Sequence, residues 1–220
     1  MRRSHELVLG LGMLITLLNG NVPIPLKDFS RLLSEHLQGN PDTTRTEFLG
    51  DELAQTDFPA NKIPEFVKYV CKWGGYPGIG GRILKRNTHS DIAEALKSAW
   101  ASLAVGKLAS ALAHVNQLSG LGGVSFASKH LRFLRPDICP VFDSILHEVL
   151  PYPFDASGYA TFARDCSLLP KLLAENQIVN PKHREGRVWF VADVEGAIFK
   201  FVDQSRTSHR ELTACAPSRR

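Results

Sequence analysis

Residues 118–143 limit the possible folds of this chain more than any other stretch, because a glycine-rich turn there joins two helical patterns. The turn reads Gly120-Leu121-Gly122-Gly123. Glycine adopts backbone conformations that other residues avoid, so three glycines in four positions indicate a sharp reversal between helices. Such a turn exposes backbone N–H groups beside the positive end of the second helix, where phosphate or another anion binds favourably.

The segments on both sides of this turn have the spacing of amphipathic helices. Before the turn, Leu108, Leu112 and Val115 share one face of a segment that begins at Lys107. After it, the sequence predicts a helix over residues 124–134, with the apolar positions facing inward. Four polar residues share the opposite face: Ser125, Ser128, Lys129 and Arg132. This face begins at the anion-binding end of the helix, although a solvated helix face explains it equally simply.

An isolated acid, Asp143, follows the turn after 20 residues. It lies in the sequence Pro140-Val141-Phe142-Asp143-Ser144, where the proline and the apolar pair favour an extended approach. We expect Asp143 to begin a helix as its N-cap, a role worth about 1 kcal/mol. A capping hydrogen bond also fixes the carboxylate in place, so the cap and a catalytic role are compatible.

The composition is that of an ordinary globular chain. With 220 residues, the protein is long enough for one large domain or two small lobes. A formal charge of +4 permits a nucleic-acid partner without requiring one. The cysteines are scattered and form no C-x-x-C pair, which argues against zinc ribbons and iron–sulfur loops: Cys71, Cys139, Cys166 and Cys215. We therefore expect a reduced cytoplasmic protein without a metal or other cofactor.

The N-terminus has two interpretations. Met1-Arg2-Arg3 followed by the apolar run 7–18 imitates a secretion signal. However, Glu6 interrupts the basic start, and the run is too short to cross a bilayer as a helix. We predict a buried first helix that ends at Asn19-Gly20, with a cleaved signal as the alternative.

The remaining chain predicts further helices and no alternating strand pattern. Helices are expected over 25–40, 63–72, 90–105, 144–150, 158–175 (as one helix or a pair) and 188–203. Residues 41–61 are predicted to form a loop, and 73–81 form a second glycine tract. The sequence thus predicts a mainly α-helical domain over 1–204, possible as two lobes around a cleft, and a polar, frayed tail over 205–220. Asp193 and Glu195 are expected to be buried partners of arginines.

The pattern of helix, glycine turn, helix and following Asp143 resembles the helix-hairpin-helix DNA glycosylases. The text of residues 122–134 and 140–144 is most similar to bacterial proteins with an 8-oxoguanine DNA glycosylase fold. Weaker similarity occurs at 70–75 and 189–195. The resemblance covers residues 60–200, approximately, and implies the helical fold of that superfamily.

For the site, the resemblance implies a monomer that binds double-stranded DNA and removes a flipped base. No membrane partner is expected. Asp143 would stabilise the sugar cation or activate the attacking nucleophile. The DNA backbone would contact the turn and the helix after it, at Gly120, Leu121, Gly122, Gly123, Lys129 and Arg132. Wedge or base-stacking candidates are Trp73, Tyr76 and Phe126, for which core packing is the alternative role. Further cations for phosphate contacts flank the second glycine tract: Lys68, Lys72, Arg82, Lys85 and Arg86.

One departure from the family pattern concerns the amine that gives some members lyase activity. Those members carry a Schiff-base lysine two residues after the second turn glycine, where this chain has Val124 or Ser125. The departure favours a glycosylase that uses water, with Lys129 mainly a phosphate contact; Ser125 and Lys129 stay as lesser catalytic candidates. The alternatives are a DNA-binding module that kept the hairpin and lost the chemistry, and a purely structural helical protein.

Overall fold

Helices make up most of the computed structural model, which describes residues 14–16 and 23–214, so the predicted mainly α-helical class is confirmed. The described α-helices are α1 Phe29–Gly39, α2 Thr43–Gln55, α3 Ile63–Trp73, α4 Pro77–Arg86, α5 His89–Ala104, α6 Leu108–Asn116, α7 Val124–Leu134, α8 Ser144–Val149, α9 Ala156–Ser167, α10 Leu169–Glu175 and α11 Val191–Ala214.

Two short antiparallel strands precede α1. Strand β1, Leu14–Thr16, pairs with β2, Pro23–Pro25, and a single 3-10 turn then leads into α1. The predicted first helix is therefore wrong at residues 14–16, where the β-branched pair Ile15-Thr16 suits an extended strand. The rest of the apolar run lies outside the described residues.

The predicted loop over 41–61 is also wrong, because it contains α2. This helix buries Thr43, Thr46, Leu49, Gly50 and Leu53, which recur at helical spacing. Only two of the five are large and apolar, so the buried face does not appear as a hydrophobic stripe. At Gly50 the backbones of α2 and α7 nearly touch, since a Cβ there would lie 1.9 Å from the Phe133 carbonyl oxygen.

Other helix boundaries differ from the predicted ones, and helix capping explains the first of these differences. Helix α5 begins one residue before Ser90, because Thr88 and Asp91 form a reciprocal capping box. Helix α4 forms inside the second glycine tract, with Pro77 in its first turn. Residues 158–175 form the helix pair α9 and α10. Helix α11 continues to Ala214, where a frayed tail from residue 205 was predicted; residues 215–220 lie outside the described residues.

Helix α7 lies at the centre of the fold. Every one of its residues from Phe126 to Leu134 is buried, and it packs against α2, α3, α6 and α9. The buried apolar side chains of the described residues form one continuous cluster around it. None of the described helices combines the length and the apolar character that crossing a membrane requires.

Candidate active site

The glycine turn between α6 and α7 has the predicted reversed backbone. Gly120, Gly122 and Gly123 have φ values of +86°, +92° and +89°, a region that side-chain-bearing residues rarely adopt. Gly123 is the N-cap of α7 and has no side chain to bond the first helical N–H groups. The first turn of α7 therefore presents unsatisfied backbone donors to an incoming group.

Helix α4 supports this turn and surrounds it with positive charge. The Asn87 side chain donates to the Ser119 carbonyl at 3.0 Å and accepts from the Ser119 amide at 3.1 Å. At Gly120, a Cβ would lie 3.2 Å from Arg86 Cδ, so the turn and α4 are in close contact. The exposed cations Arg82 and Arg86 of α4 thus lie next to the turn, and exposed Lys85 lies between them in the same helix.

Beyond the turn, Lys129 in the middle of α7 lies close to Asp143, which directly precedes α8. Lys129 Nζ lies 3.5 Å from Asp143 Oδ2 and donates to Ser125 Oγ at 3.0 Å. The two side chains are 7% and 13% exposed. All three candidate catalytic residues from the sequence therefore occupy one place.

The two oxygens of Asp143 have separate partners. Oδ1 accepts hydrogen bonds from the amides of Ile145 and Leu146 at 3.1 and 3.2 Å, which confirms the predicted N-cap of α8. Oδ2 faces Lys129. The cap holds the carboxylate in one orientation, so the second oxygen stays directed at the amine.

The amine of Lys129 is enclosed by neighbouring residues. It lies 5.0 Å from the ring centroid of Phe126. Gly74 provides the room for its chain, since a Cβ at Gly74 would lie 2.9 Å from Lys129 Cδ. Burial lowers the pKa of Lys129 below its ordinary value, against the opposing attraction of the Asp143 carboxylate.

Buried hydrogen bonds fix the extended segment that precedes Asp143. The Phe142 amide donates to Ser128 Oγ at 3.0 Å, and that hydroxyl lies 3.0 Å from the Ser125 carbonyl. The Val141 amide donates to Glu195 Oε2 at 3.2 Å. Helices α7 and α11 thereby hold the segment from two sides.

A cavity of about 250 Å³ opens onto this group of side chains. Its volume is slightly below the roughly 300–1,000 Å³ of typical small-molecule sites, which suits a single heterocyclic group. The charged and polar groups in its wall include Lys129, Asp143 and Glu195. Its aromatic walls come from Trp73, Tyr76, Phe126 and Phe199.

The three predicted wedge or stacking residues all line this cavity, in different states. Tyr76 is 67% exposed and contacts the Phe126 ring edge to face, with centroids 6.3 Å apart. Trp73 is fixed by Phe133 and by a hydrogen bond from its Nε1 to Thr43 Oγ1 at 2.9 Å. Trp73 and Phe126 are therefore parts of the wall, whereas Tyr76 is the exposed aromatic side chain of the three.

The expected DNA contact of Arg132 is wrong. Its side chain is 2% exposed and its Nη1 lies 2.8 Å from Glu47 Oε1 on α2. A guanidinium enclosed in this way cannot reach a phosphate. Lys129 is equally enclosed, so its geometry favours a role inside the cavity over a backbone contact. The polar face of α7 is buried against partners from other helices.

The two acids expected to pair with arginines have different partners in the structure. Asp193 does so, because its Oδ2 lies 2.6 Å from Arg184 Nε. Glu195 instead bonds the Val141 amide and lines the cavity. A weak sequence signal exists for Glu195, since it lies between apolar residues at the start of α11, as Asp193 also does.

Among the described residues, no group of three or more His, Cys, Asp or Glu side chains is arranged to hold a metal ion. Comparisons of the chain with models of protein families, with curated proteins and with solved structures find no match. The chemistry of the cavity therefore carries the functional conclusion.

Proposed function

We propose that this protein is a DNA N-glycosylase that binds duplex DNA at the glycine turn and removes a flipped modified base in the cavity. The observation that carries the proposal is the enclosed pair of Lys129 and Asp143, 3.5 Å apart, in an aromatic-lined cavity. An amine and a carboxylate at one point are the groups that attack and stabilise a sugar carbon.

The surface around the turn supports DNA as the partner. Unsatisfied N–H groups at the start of α7 suit a phosphate, and the exposed cations Arg82, Lys85 and Arg86 add charge beside them. These contacts do not distinguish one base from another, so they suit a protein that binds the DNA backbone at many different sequences. The hydrogen bonds between Asn87 and Ser119 keep the cations and the turn together.

The cavity supports a base as the group acted upon. An enzyme that reacts at a base inside duplex DNA must first turn the nucleotide out of the stack. The walls at Trp73 and Phe126 offer apolar rings for stacking, and exposed Tyr76 is suited to fill the space that the flipped base leaves.

The pair divides the chemistry between its members. As the glycosidic bond breaks, the Asp143 carboxylate stabilises the positive charge that develops on the sugar. In place of the water that the departure from the family pattern favours, the Lys129 amine attacks C1′, so that a carbon–nitrogen bond to Lys129 forms while the bond to the base breaks. The enclosure of Lys129 against Asp143 is the reason for this change. Burial lowers the pKa of Lys129 and so favours the neutral, nucleophilic amine. Lys129 thus supplies, from one helical turn further on, the amine missing from the family position.

Base release from a panel of duplexes, each with one modified base, tests the proposal. We expect Asp143→Asn to lower single-turnover release by about 100-fold or more. Asparagine also caps helices, so this variant removes the charge and keeps the cap. Borohydride should trap wild-type protein on DNA and leave Lys129→Gln untrapped.

Each outcome has a separate meaning. Release without trapping would replace Lys129 by water as the nucleophile and keep Asp143. Duplex binding with steep salt dependence but no release by the wild type favours the non-catalytic DNA-binding alternative. Absence of both binding and release would contradict any role on DNA.

A further inference from the structure

A second carboxyl group, that of Glu195, faces the same cavity and has no part in the chemistry above. Glu195 lies in the first turns of α11 and is 2% exposed. Its Oε2 accepts the Val141 amide, and in the described part of the chain no lysine or arginine nitrogen lies within 4 Å of it. An enclosed acid without an ion-pair partner, directed into a reaction cavity, needs an explanation.

The groups around Glu195 determine its charge. Lys129 and Arg132 face it from α7, Asp143 from the segment before α8, and Tyr159 and Cys166 from α9. Burial and the nearby Asp143 carboxylate raise the pKa of Glu195 to about 8, against the opposing effect of Arg132, the Val141 amide and Lys129. At neutral pH, Glu195 therefore holds a proton while Asp143 stands beside it as the partner of Lys129.

On the basis of the proposed function, we propose that Glu195 is a further catalytic residue that donates its proton to the base as the glycosidic bond breaks. The electron pair of the broken bond goes to the base, and the Glu195 proton neutralises it. Glu195 becomes a carboxylate that the Val141 amide and the neighbouring cations stabilise. The nitrogen of Lys129, positively charged after its attack on C1′, then returns a proton to Glu195.

This role indicates the class of base removed. An uncharged base leaves with an electron pair and is a poor leaving group until it is protonated. A cationic N-alkylated base already carries the positive charge and gains nothing from a proton donor. The acid at Glu195 therefore favours uncharged modified bases that present a ring nitrogen or carbonyl oxygen to the cavity wall.

The test compares the wild type with Glu195→Gln on two duplexes of equal sequence. One contains an uncharged modified base that the wild type releases, and the other contains cationic 7-methylguanine. We expect the variant to slow release of the uncharged base by about 100-fold and to leave release of 7-methylguanine unchanged, whatever its level. The wild-type rate should fall as pH rises through about 8, and the variant should lack this fall.

A second measurement does not depend on turnover. Infrared spectroscopy of the whole protein at pH 6.5 should show a protonated-carboxyl band that Glu195→Gln removes and that disappears on titration to alkaline pH. Absence of this band overturns the proposal. So does equal slowing of both bases, or a variant with wild-type rate and pH profile on the uncharged base; in these cases base removal by Asp143 still stands. A wild type that releases no base at all contradicts the proposed function and the role of Glu195 together.

Discussion

The hydroxyl of Ser128 accepts a hydrogen bond from the Phe142 amide at 3.0 Å, and this contact joins α7 to the segment that carries Asp143. Ser128→Ala would leave a buried amide without a partner, which costs about 1–3 kcal/mol. We expect a lower free energy of unfolding and slower base release, with duplex affinity unchanged. Urea titration and single-turnover kinetics measure both effects.

Ser110→Ala is the matched control for this change, since Ser110 is exposed on α6. Slower release in Ser110→Ala as well, or full release in Ser128→Ala, would contradict a positioning role for Ser128.

Gly74→Ala tests whether the missing side chain at this position is needed for the amine. A Cβ there would lie 2.9 Å from Lys129 Cδ and 3.0 Å from Phe126 Cε1, so the flexible lysine would have to move. A displacement of about 1 Å at a reacting group can cost about 100-fold in rate. We expect that loss in borohydride trapping, with little change in the free energy of unfolding.

Gly78→Ala provides the comparison, because a Cβ at Gly78 meets nothing within 4 Å. It should trap like the wild type. Equal trapping by Gly74→Ala would show that Lys129 accommodates the methyl group without loss.

The cations of α4 should determine the salt dependence of duplex binding. Replacing Arg82, Lys85 and Arg86 by glutamine should reduce the slope of log affinity against log salt by about 2–3, since each phosphate contact contributes about 0.9. Fluorescence anisotropy over a salt series measures the slope. A control triple variant removes the same charge from other surfaces, at Arg31, Lys97 and Lys171. Equal changes in both variants would indicate a general charge effect without a defined interface.

Glu47 contacts three cations in the interior. Its Oε1 lies 2.8 Å from Arg132 Nη1, 2.5 Å from Lys182 Nζ and 3.2 Å from Arg184 Nη2. Removing one member of a buried ionic group typically costs about 3–5 kcal/mol, so we expect that loss in Glu47→Gln at pH 7 by urea titration. Glu65→Gln, which breaks an exposed pair with Arg45, should cost less than about 1 kcal/mol.

The same group should make the wild type sensitive to acid. Burial opposes ionisation of Glu47, but its three cations hold the pKa at about 2, below the ordinary 4.5. The stabilisation is therefore complete above pH 4.5 and decreases as pH falls towards 2. Glu47→Gln should lack this contribution, so its deficit should shrink over that range; a constant deficit would contradict it.

Glu195 has the opposite pH dependence. Its pKa of about 8 lies above the ordinary 4.5, so the folded state binds more protons between these values. Wild-type stability from this group should fall as pH rises from 4.5 to 8. Glu195→Gln should gain in melting temperature relative to the wild type over that range. A difference independent of pH would show that Glu195 titrates normally.

The helical elements near the site were predictable because the residues that mark helix boundaries and the spacing of apolar residues agree there. Glycines mark the start of α7, and its apolar residues recur at helical spacing, so the predicted bounds 124–134 match the structure. Asp143 was predicted as an N-cap because it follows an extended apolar pair. These signals are local, and the sequence contains all of them.

Other parts of the site depend on partners from distant segments. From its sequence neighbours, Arg132 is expected to be a surface cation; only the fold shows that Glu47 on α2 contacts it. Helix α2 itself escapes prediction because glycine and threonine form much of its buried face. The approach of Lys129 to Asp143 depends on the fold of residues 135–142 and on the space at Gly74. No local pattern specifies such distances.

The single helix α7 joins the glycine turn to the reactive amine, so this helix fixes the distance between them. Lys129 lies six positions after Gly123, which at 1.5 Å per residue is an axial distance of about 9 Å. In the proposed complex, the phosphate held at the turn and the sugar attacked by the amine are separated by this fixed length. The protein would therefore select its target by a fixed offset between the phosphate at the turn and the sugar at the amine.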